Sequence, residues 1–468
     1  MTETSAHFIN REHPEYVAQK YTWRKYKDLY SGGEQFREHA TEYLVRRGKE
    51  AAQVYMERLG HVFYENYIGS IIDWYAATLM RREPVLQLDG AIETSAEFYN
   101  CFLQDCDLRG TSLNEFFRQR LAQALVFGRS SAAIEFPAIE AGAKTRAEED
   151  ELGRSRAYLV EYNPEDVINW SHDDEGRLDW VVIRTQCLKQ AEVTDREWKR
   201  EQRWIYYDRQ TYRIYAQDTT GGHSAGVVLT AEGQHGLAGQ NRVPLVEVRV
   251  TDGLWLMNKA ALLQLEHFNK SNALAWALTM GLFATPVVYS DKEWSQIMGD
   301  SYYIQLAPGD RFGWTEPEGH VFQIASDNLT RLKDEIYRVC YLMNQAGGPQ
   351  VSPSQSGLSK QRDFGVTQEI LRSYGDTVKE GIRQVLQQIN LARQDEVRVD
   401  VSGLDEFDIG DFGAELDDAK RLLDLGIQSD TLKQQLFKRL ALKYFCDIRQ
   451  DVKNKIVAEI DASFQKAN

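Results

Sequence analysis

Apolar residues recur at helical spacing on both sides of one stretch, Asp327–Arg393. Leu329, Leu332, Ile336, Val339 and Met343 lie three and four positions apart and predict one helix, with Asp327 and Asn328 as capping types at its start. Leu371, Tyr374, Val378, Ile382, Val385 and Ile389 predict a second. Between them, Gly347–Lys360 holds three Gly, two Pro and four Ser in fourteen positions, a composition that excludes regular structure. A long loop between two amphipathic helices is uncommon in a compact domain and is usually functional or disordered. Gly375 and Gly381 sit inside the second helix. Each costs about 1 kcal/mol relative to Ala, so either a kink or a close backbone approach is expected there.

The rest of the chain alternates between the two periods. His13–Val85 is helical in pattern, with Pro14 at a first helical turn and a long run after Ser31-Gly32-Gly33 through Tyr55, Leu59, Phe63, Tyr67, Ile71, Ile72 and Leu79. Ser112 with Glu115 predicts a capping box that opens a helix running to Gly128. A strand, Ser131–Phe136, follows. Ala138–Arg156 is polar and is expected to be an exposed loop. From Ala157 the period becomes two: Tyr158–Val160, Trp180–Ile183, Trp204–Tyr207, Tyr212–Ala216 and Pro244–Val250 predict strands, and Gly221–Gly239 a Gly-rich loop. Thr251–Gly281 returns to helix through Leu254, Met257, Ala261, Leu265 and Phe268. Thr285–Ile324 reads as short strands and turns. Asp400–Asn468 holds an acidic connector, Asp405–Asp418, and two helices, one ending at Leu425 before Gly426. The fold class expected is α+β, mainly helical.

Composition narrows the chemistry. The chain has 468 residues and a net charge of −15, which disfavours a simple electrostatic binder of DNA or membranes. Five Cys without a CxxC argue against a disulfide framework or zinc site. The first sixteen residues lack an apolar h-region, so no secretory signal is expected. Ser271–Ser290 is uncharged, but with Gly281 and Pro286 it predicts a buried helix end and a strand, not a membrane span. No GxxxxGK[ST], HExxH or GxSxG is present, so no nucleotide, metal or other cofactor and no enzymatic activity are expected. His172–Glu175 could hold a hard cation, although Asp/Gly turns commonly look like this. Cys340 falls on an apolar stripe and is expected in the core. Arg331, Lys333, Arg338, Lys360 and Arg362 are the basic residues around the loop. Arg331–Glu335 and Asp334–Arg338 read as i, i+4 pairs, whereas Lys360 and Arg362 have no acidic neighbour before Asp363.

Several phrases, in order, resemble the portal protein (head–tail connector) of tailed bacteriophages. They are His13-Pro14-Glu15-Tyr16, Trp23 with Asp28–Gly32, Glu42-Tyr43-Leu44, Tyr55–Leu59, Phe63–Asn66, Arg82-Glu83-Pro84, Phe102-Leu103 with Gly110–Leu113, Gly128-Arg129 and, most tellingly, Tyr162–Trp170. The likeness spans nearly the whole chain and is weakest over Ala138–Arg156 and the last seventy residues.

The resemblance implies a ring, typically a dodecamer, at one capsid vertex of a virion assembled in a bacterial host. It divides the chain into a wing (1–250), a first stem helix (251–282), a clip (283–326), a second stem helix (327–346), a tunnel loop (347–366), a wing helix, kinked in that family (367–399), and a crown (400–468). Ser359, Lys360, Gln361 and Arg362 would face DNA, Arg331, Lys333 and Arg338 are channel-lining candidates, and Trp294 and Trp314 are clip candidates for a partner interface or a small β core. The implied partners are double-stranded DNA, the large terminase subunit, major capsid and scaffolding proteins, and head-completion or adaptor proteins. Twelve helices about 10 Å apart make a circle roughly 38 Å across their axes and leave a lumen near 28 Å, against roughly 20 Å for a duplex. Two rival readings stay open: a ring-forming adaptor or scaffold that does not pass DNA, and a carboxylate-dependent nuclease built on Asp405–Asp418, with Asp408 and Asp411 at its centre.

Overall fold

The computed structural model describes residues 8–81, 83–90, 93–137, 156–190, 198–217, 226–281, 285–290, 309, 311–315, 319–342, 357–405, 412–427, 429–444 and 450–465. Helices and antiparallel sheets both contribute substantially, as an α+β class requires. The chain divides into two compact units: Met1–Lys27 with Ser70–Asn258 and Ser356–Asn468, and Asp28–Gly69 with Lys259–Gln355.

The larger unit is built around a three-stranded antiparallel sheet in the order Tyr158–Tyr162, Arg129–Glu135, Leu245–Arg249. Its central strand is buried along almost its whole length, as a strand covered on both faces must be. The helix before it, Leu113–Phe127, starts where Ser112 Oγ accepts the Glu115 N–H at 3.2 Å. The return half of the predicted box is not made, because the Glu115 carboxylate pairs with Arg118. A second, five-stranded antiparallel meander runs Val167–His172, Leu178–Lys189, Lys199–Asp208, Thr211–Gln217, Val227–Gln234. The last of these strands lies inside the stretch read as a Gly-rich loop. Val227, Val228 and Leu229 outweigh Gly233 there, and only 218–225 lie outside the described residues.

Four of the phrases behind the family resemblance converge on one cluster. His13 stacks on Trp170 with ring centroids 4.1 Å apart. The Arg129 guanidinium lies over Trp170 at 4.7 Å and over Trp23 at 5.2 Å. Tyr16 donates to the Glu165 carbonyl at 3.0 Å, and Trp23 Nε1 to the Phe127 carbonyl at 3.1 Å. Those residue types therefore have a structural reason to be there.

The long helix Gly357–Arg393 buries Leu371, Tyr374, Val378, Ile382, Val385 and Ile389. Two of its inner glycines, Gly375 and Gly381, are sites of close approach. A Cβ on Gly375 would lie 2.3 Å from the Leu404 carbonyl oxygen, and one on Gly381 would lie 2.9 Å from Phe117 and 3.1 Å from Val248. The helix ends in a buried ion pair: Arg393 Nε donates to Asp395 at 2.7 Å, Ser95 donates to the same carboxylate at 2.9 Å, and the guanidinium covers Phe98 at 3.8 Å. Beyond it, Arg398–Ser402 pairs with Val85–Asp89, so Val85 opens a strand and does not extend a helix. The C-terminal region holds three helices where two were expected: Phe412–Asp424, Asp430–Tyr444 and Gln450–Gln465. The third has its own run, Val452, Ile456, Val457 and Ile460.

The smaller unit contains the short helices Gly33–Glu38, Ala40–Tyr43 and Ala52–Gly60, so the long N-terminal run is broken rather than continuous. Phe36 is its hub, stacked on Tyr64 at 4.1 Å and Tyr43 at 5.2 Å, with Phe268 edge-on at 4.9 Å. Asp28, 1% exposed, accepts from Tyr43 at 2.6 Å and from Gln35 at 3.1 Å.

Candidate nucleic-acid interface

Within the smaller unit, the part of Leu256–Gly281 beyond Asn258 does two jobs. One face buries Ala260, Ala261 and Phe268. A second carries amides that act as surrogate backbone. Gln264 accepts the Ile68 N–H at 3.2 Å and donates to the Glu65 carbonyl at 2.7 Å. Asn269 accepts the Val45 N–H at 2.8 Å and donates to the Tyr43 carbonyl at 3.0 Å. Asn272 accepts the Phe63 N–H at 3.1 Å and donates to the Phe63 carbonyl at 2.9 Å. The chain leaves one helix at 43–45 and enters another at 63–68, and these side chains satisfy the backbone groups that the helix ends leave open. Sequence reading missed this role. The readable signal was three amides on a helix otherwise rich in Ala and Leu.

The chain then forms a two-stranded antiparallel ribbon, Thr285–Tyr289 with Arg311–Thr315. Trp314 pairs in register with Pro286. Trp294 lies outside the described residues. Next comes the helix Gly319–Val339, which starts eight residues before the expected Asp327. Asp327 is not a cap: its carboxylate accepts from Gln323, four residues earlier, at 2.8 Å. Nothing between Gly319 and Asp327 breaks a helix, so the residues read as the end of the clip belong to it. The helix stops at Val339, short of the expected 346. Tyr341 follows with φ of 63°, and Lys259 reaches its hydroxyl and covers its ring at 4.3 Å.

The three basic candidates on this helix separate. Arg338 pairs with Glu335 at 2.5 and 2.7 Å, so the expected pairing with Asp334 is replaced by an i, i+3 contact. That guanidinium holds the Glu335 carboxyl below its ordinary range. Arg331 is exposed and adds to the same effect, and among the described residues no carboxylate forms an ion pair with it. Lys333 is half-buried and contributes, after burial, to holding His267 below its usual pKa. His267 sits 3.8 Å from Glu65 with Tyr67 edge-on at 5.0 Å, and its Nδ1 is buried without a hydrogen bond.

Residues 343–356, which include the first half of the expected tunnel loop, lie outside the described residues. Gly357–Lys360 and the positions up to 366 do not belong to a loop, because the long helix begins at Gly357. Ser359, Lys360, Gln361 and Arg362 therefore occupy its first two turns. Leu358, Lys360, Gln361 and Arg362 are good helix formers, and they prevail over the Gly and Ser around them.

The remaining chemical candidates resolve without a site. Asp173 accepts the Glu175 and Arg177 backbone N–H groups at 2.9 and 2.8 Å and pairs with Arg209 at 2.5 Å, which leaves its carboxylate committed. Among the described residues, no three His, Cys, Asp or Glu are grouped to hold a metal. Asp408 and Asp411 lie outside the described residues, and Asp417 pairs with Lys420. Cys340 is fully buried, and burial pushes its thiol up to about 12, as expected of a core position. Among the described residues, no helix is long and apolar enough to cross a membrane.

No family model matches the chain, and no curated protein matches it. Solved structures do. A chain from the virion of a native gene transfer agent (GTA) particle aligns at 13% identity over 86% of this chain and 97% of its own, with a TM-score of 0.45. A chain from the neck of an empty GTA particle, computed with C6 symmetry, aligns at 13% identity over 79% and 90%, with a TM-score of 0.42. A chain from the neck of a native GTA particle, computed with C12 symmetry, aligns at 11% identity over 86% and 98%, with a TM-score of 0.38.

Proposed function

We propose that this chain is a portal subunit: a non-enzymatic virion protein that assembles as a ring, twelve copies as the resemblance implies, through which double-stranded DNA is packaged and ejected. The observation that carries the reading is in the smaller unit. Two helices flank a β-ribbon in chain order, and both leave large aliphatic residues in water: Leu262 is 72% exposed, Leu278 42%, Val321 62% and Ile324 55%. Such residues are expected to be covered by neighbouring copies. In this reading the flanking helices are the stem, the ribbon is the clip that docks the terminase, and the segment 347–366 borders the channel. Capsid, scaffolding and head-completion proteins bind the outer surface. The chain's charge of −15 suits a lumen that does not grip phosphate, so DNA slides and a separate motor drives it. The test is imaging and mass measurement of the purified full chain. Rings with a central hole wide enough for a duplex are expected, and a monomer or dimer under all assembly conditions would reject the proposal.

A further inference from the structure

The loop Val45–Glu50 presents three cations in four positions, Arg46, Arg47 and Lys49, all exposed. Its single acid is held chiefly by a cation outside the loop. The Glu50 carboxylate accepts twice from Arg58, at 2.7 and 2.8 Å, in a pair whose side chains are 5% and 3% exposed. It also accepts the Arg47 backbone N–H at 3.1 Å. Among the described residues, no carboxylate forms an ion pair with Arg46, Arg47 or Lys49. On a chain of net charge −15, this is a local excess of positive charge that its own fold offsets only in part, through the pull of Arg47 on the Glu50 carboxylate.

The loop is also fastened at both ends. Asn269 holds Tyr43 and Val45, Tyr55 donates to the Leu44 carbonyl at 3.2 Å, and the Arg46 guanidinium donates to the Glu50 carbonyl at 2.9 Å. A cationic loop with a fixed frame loses little conformational freedom when it meets an anion. Arginine forks and a lysine point charge are the groups that recognise phosphate.

We infer that Val45–Glu50 is a phosphate-backbone contact for duplex DNA, separate from the 347–366 segment. The choice of DNA as the polyanion rests on the portal reading, whereas the loop's charge and frame do not. The contact is sequence-independent, because nothing in the loop offers the paired donors and acceptors that read base edges. Each engaged cation releases counterions from the duplex, so the contact is strongly salt-dependent.

The experiment compares the natural full chain with Arg46→Gln/Arg47→Gln/Lys49→Gln, using a short fluorescent duplex titrated at two salt concentrations. Between 50 and 200 mM salt, the natural chain is expected to lose about 40-fold more affinity than the triple variant, at a slope of about 0.9 per lost contact. Arg47→Gln/Lys49→Gln keeps the closing bond from Arg46 to Glu50 and is expected to remove about two-thirds of that slope difference. Equal affinity and equal salt slope in all three proteins would overturn the inference while leaving ring formation, and so the portal reading, intact. Absence of duplex binding by the natural chain, with rings that fall apart in the triple variant, would also overturn it and assign the loop to an acidic surface of a second copy.

Discussion

The helix Gly357–Arg393 contains three glycines whose replacement by alanine is expected to give three different results. Helix propensity alone predicts a gain of about 1 kcal/mol at each. Gly365 has no atom within 4 Å of a built Cβ, so Gly365→Ala keeps the whole gain. At Gly381 the nearest atoms belong to the side chains of Phe117 and Val248, at 2.9 and 3.1 Å, and can yield by a few tenths of an ångström. Overpacking of this kind costs about 1–3 kcal/mol, so Gly381→Ala is expected to destabilise by roughly 0–2 kcal/mol after the propensity gain. At Gly375 the obstacle is the Leu404 carbonyl oxygen at 2.3 Å. Leu404 already has φ of 58° and follows the strand paired with Val85–Asp89, so the backbone can retreat only by disturbing that ribbon. Gly375→Ala is therefore expected to be the most destabilising, at about 2 kcal/mol or more net. Urea midpoints of the full chain, with deuterium exchange at 398–402, measure the order: Gly365→Ala above the natural chain, then Gly381→Ala, then Gly375→Ala. If Gly375→Ala raises the midpoint as Gly365→Ala does, the close approach does not control this helix.

Three further outcomes are expected. Asp395→Ala strands Arg393 in a site 1% exposed and should cost about 3–5 kcal/mol, and adding Arg393→Met should recover part of that loss in the same urea assay. His235 and His267 are held below their usual pKa of 6.5, chiefly by burial. The unfolded chain then takes up protons near 6.5 that the folded chain refuses, so stability is full above about pH 7 and falls as pH drops through 6.5. Midpoints measured across that range should show the fall, with a smaller fall in His267→Gln. Lys360→Glu/Arg362→Glu should leave ring assembly unchanged and reduce DNA retention in a packaging assay. Normal retention would remove these two residues from the channel.

Much of the fold was readable where the local pattern and the tertiary need coincide. The stripe from Leu371 to Ile389, the cap at Ser112 and the strands from Tyr158 to Ala216 are such places. The misreadings have physical causes. Asp327 and Asn328 are polar for solvent exposure in mid-helix, and a cap uses the same residue types. The ribbon of Val85–Asp89 with Arg398–Ser402 joins segments more than three hundred positions apart, and nothing in either sequence encodes the partner. Gly375 and Gly381 were legible as a demand for either a kink or a close approach, and the contacts of a would-be Cβ decided for the latter. The candidate site was legible only in part. Arg338 has the composition of a DNA contact, but Glu335 already occupies it. Arg46, Arg47 and Lys49 carried no signal in the sequence, because only the fold shows that Glu50 is bound chiefly by Arg58.

The amides of Gln264, Asn269 and Asn272 carry an evolutionary consequence. They clamp the chain at Tyr43–Val45 and again at Phe63–Ile68, and they do so by side chain alone, with no ladder that fixes the length of what lies between. The loop between the footings, 46–49, can therefore be lengthened, shortened or exchanged without moving them, provided Tyr55 and the Glu50–Arg58 pair are kept. A graft of a differently charged loop at these two footings should fold into the same frame, which makes this part of the molecule a replaceable cassette on a fixed mount.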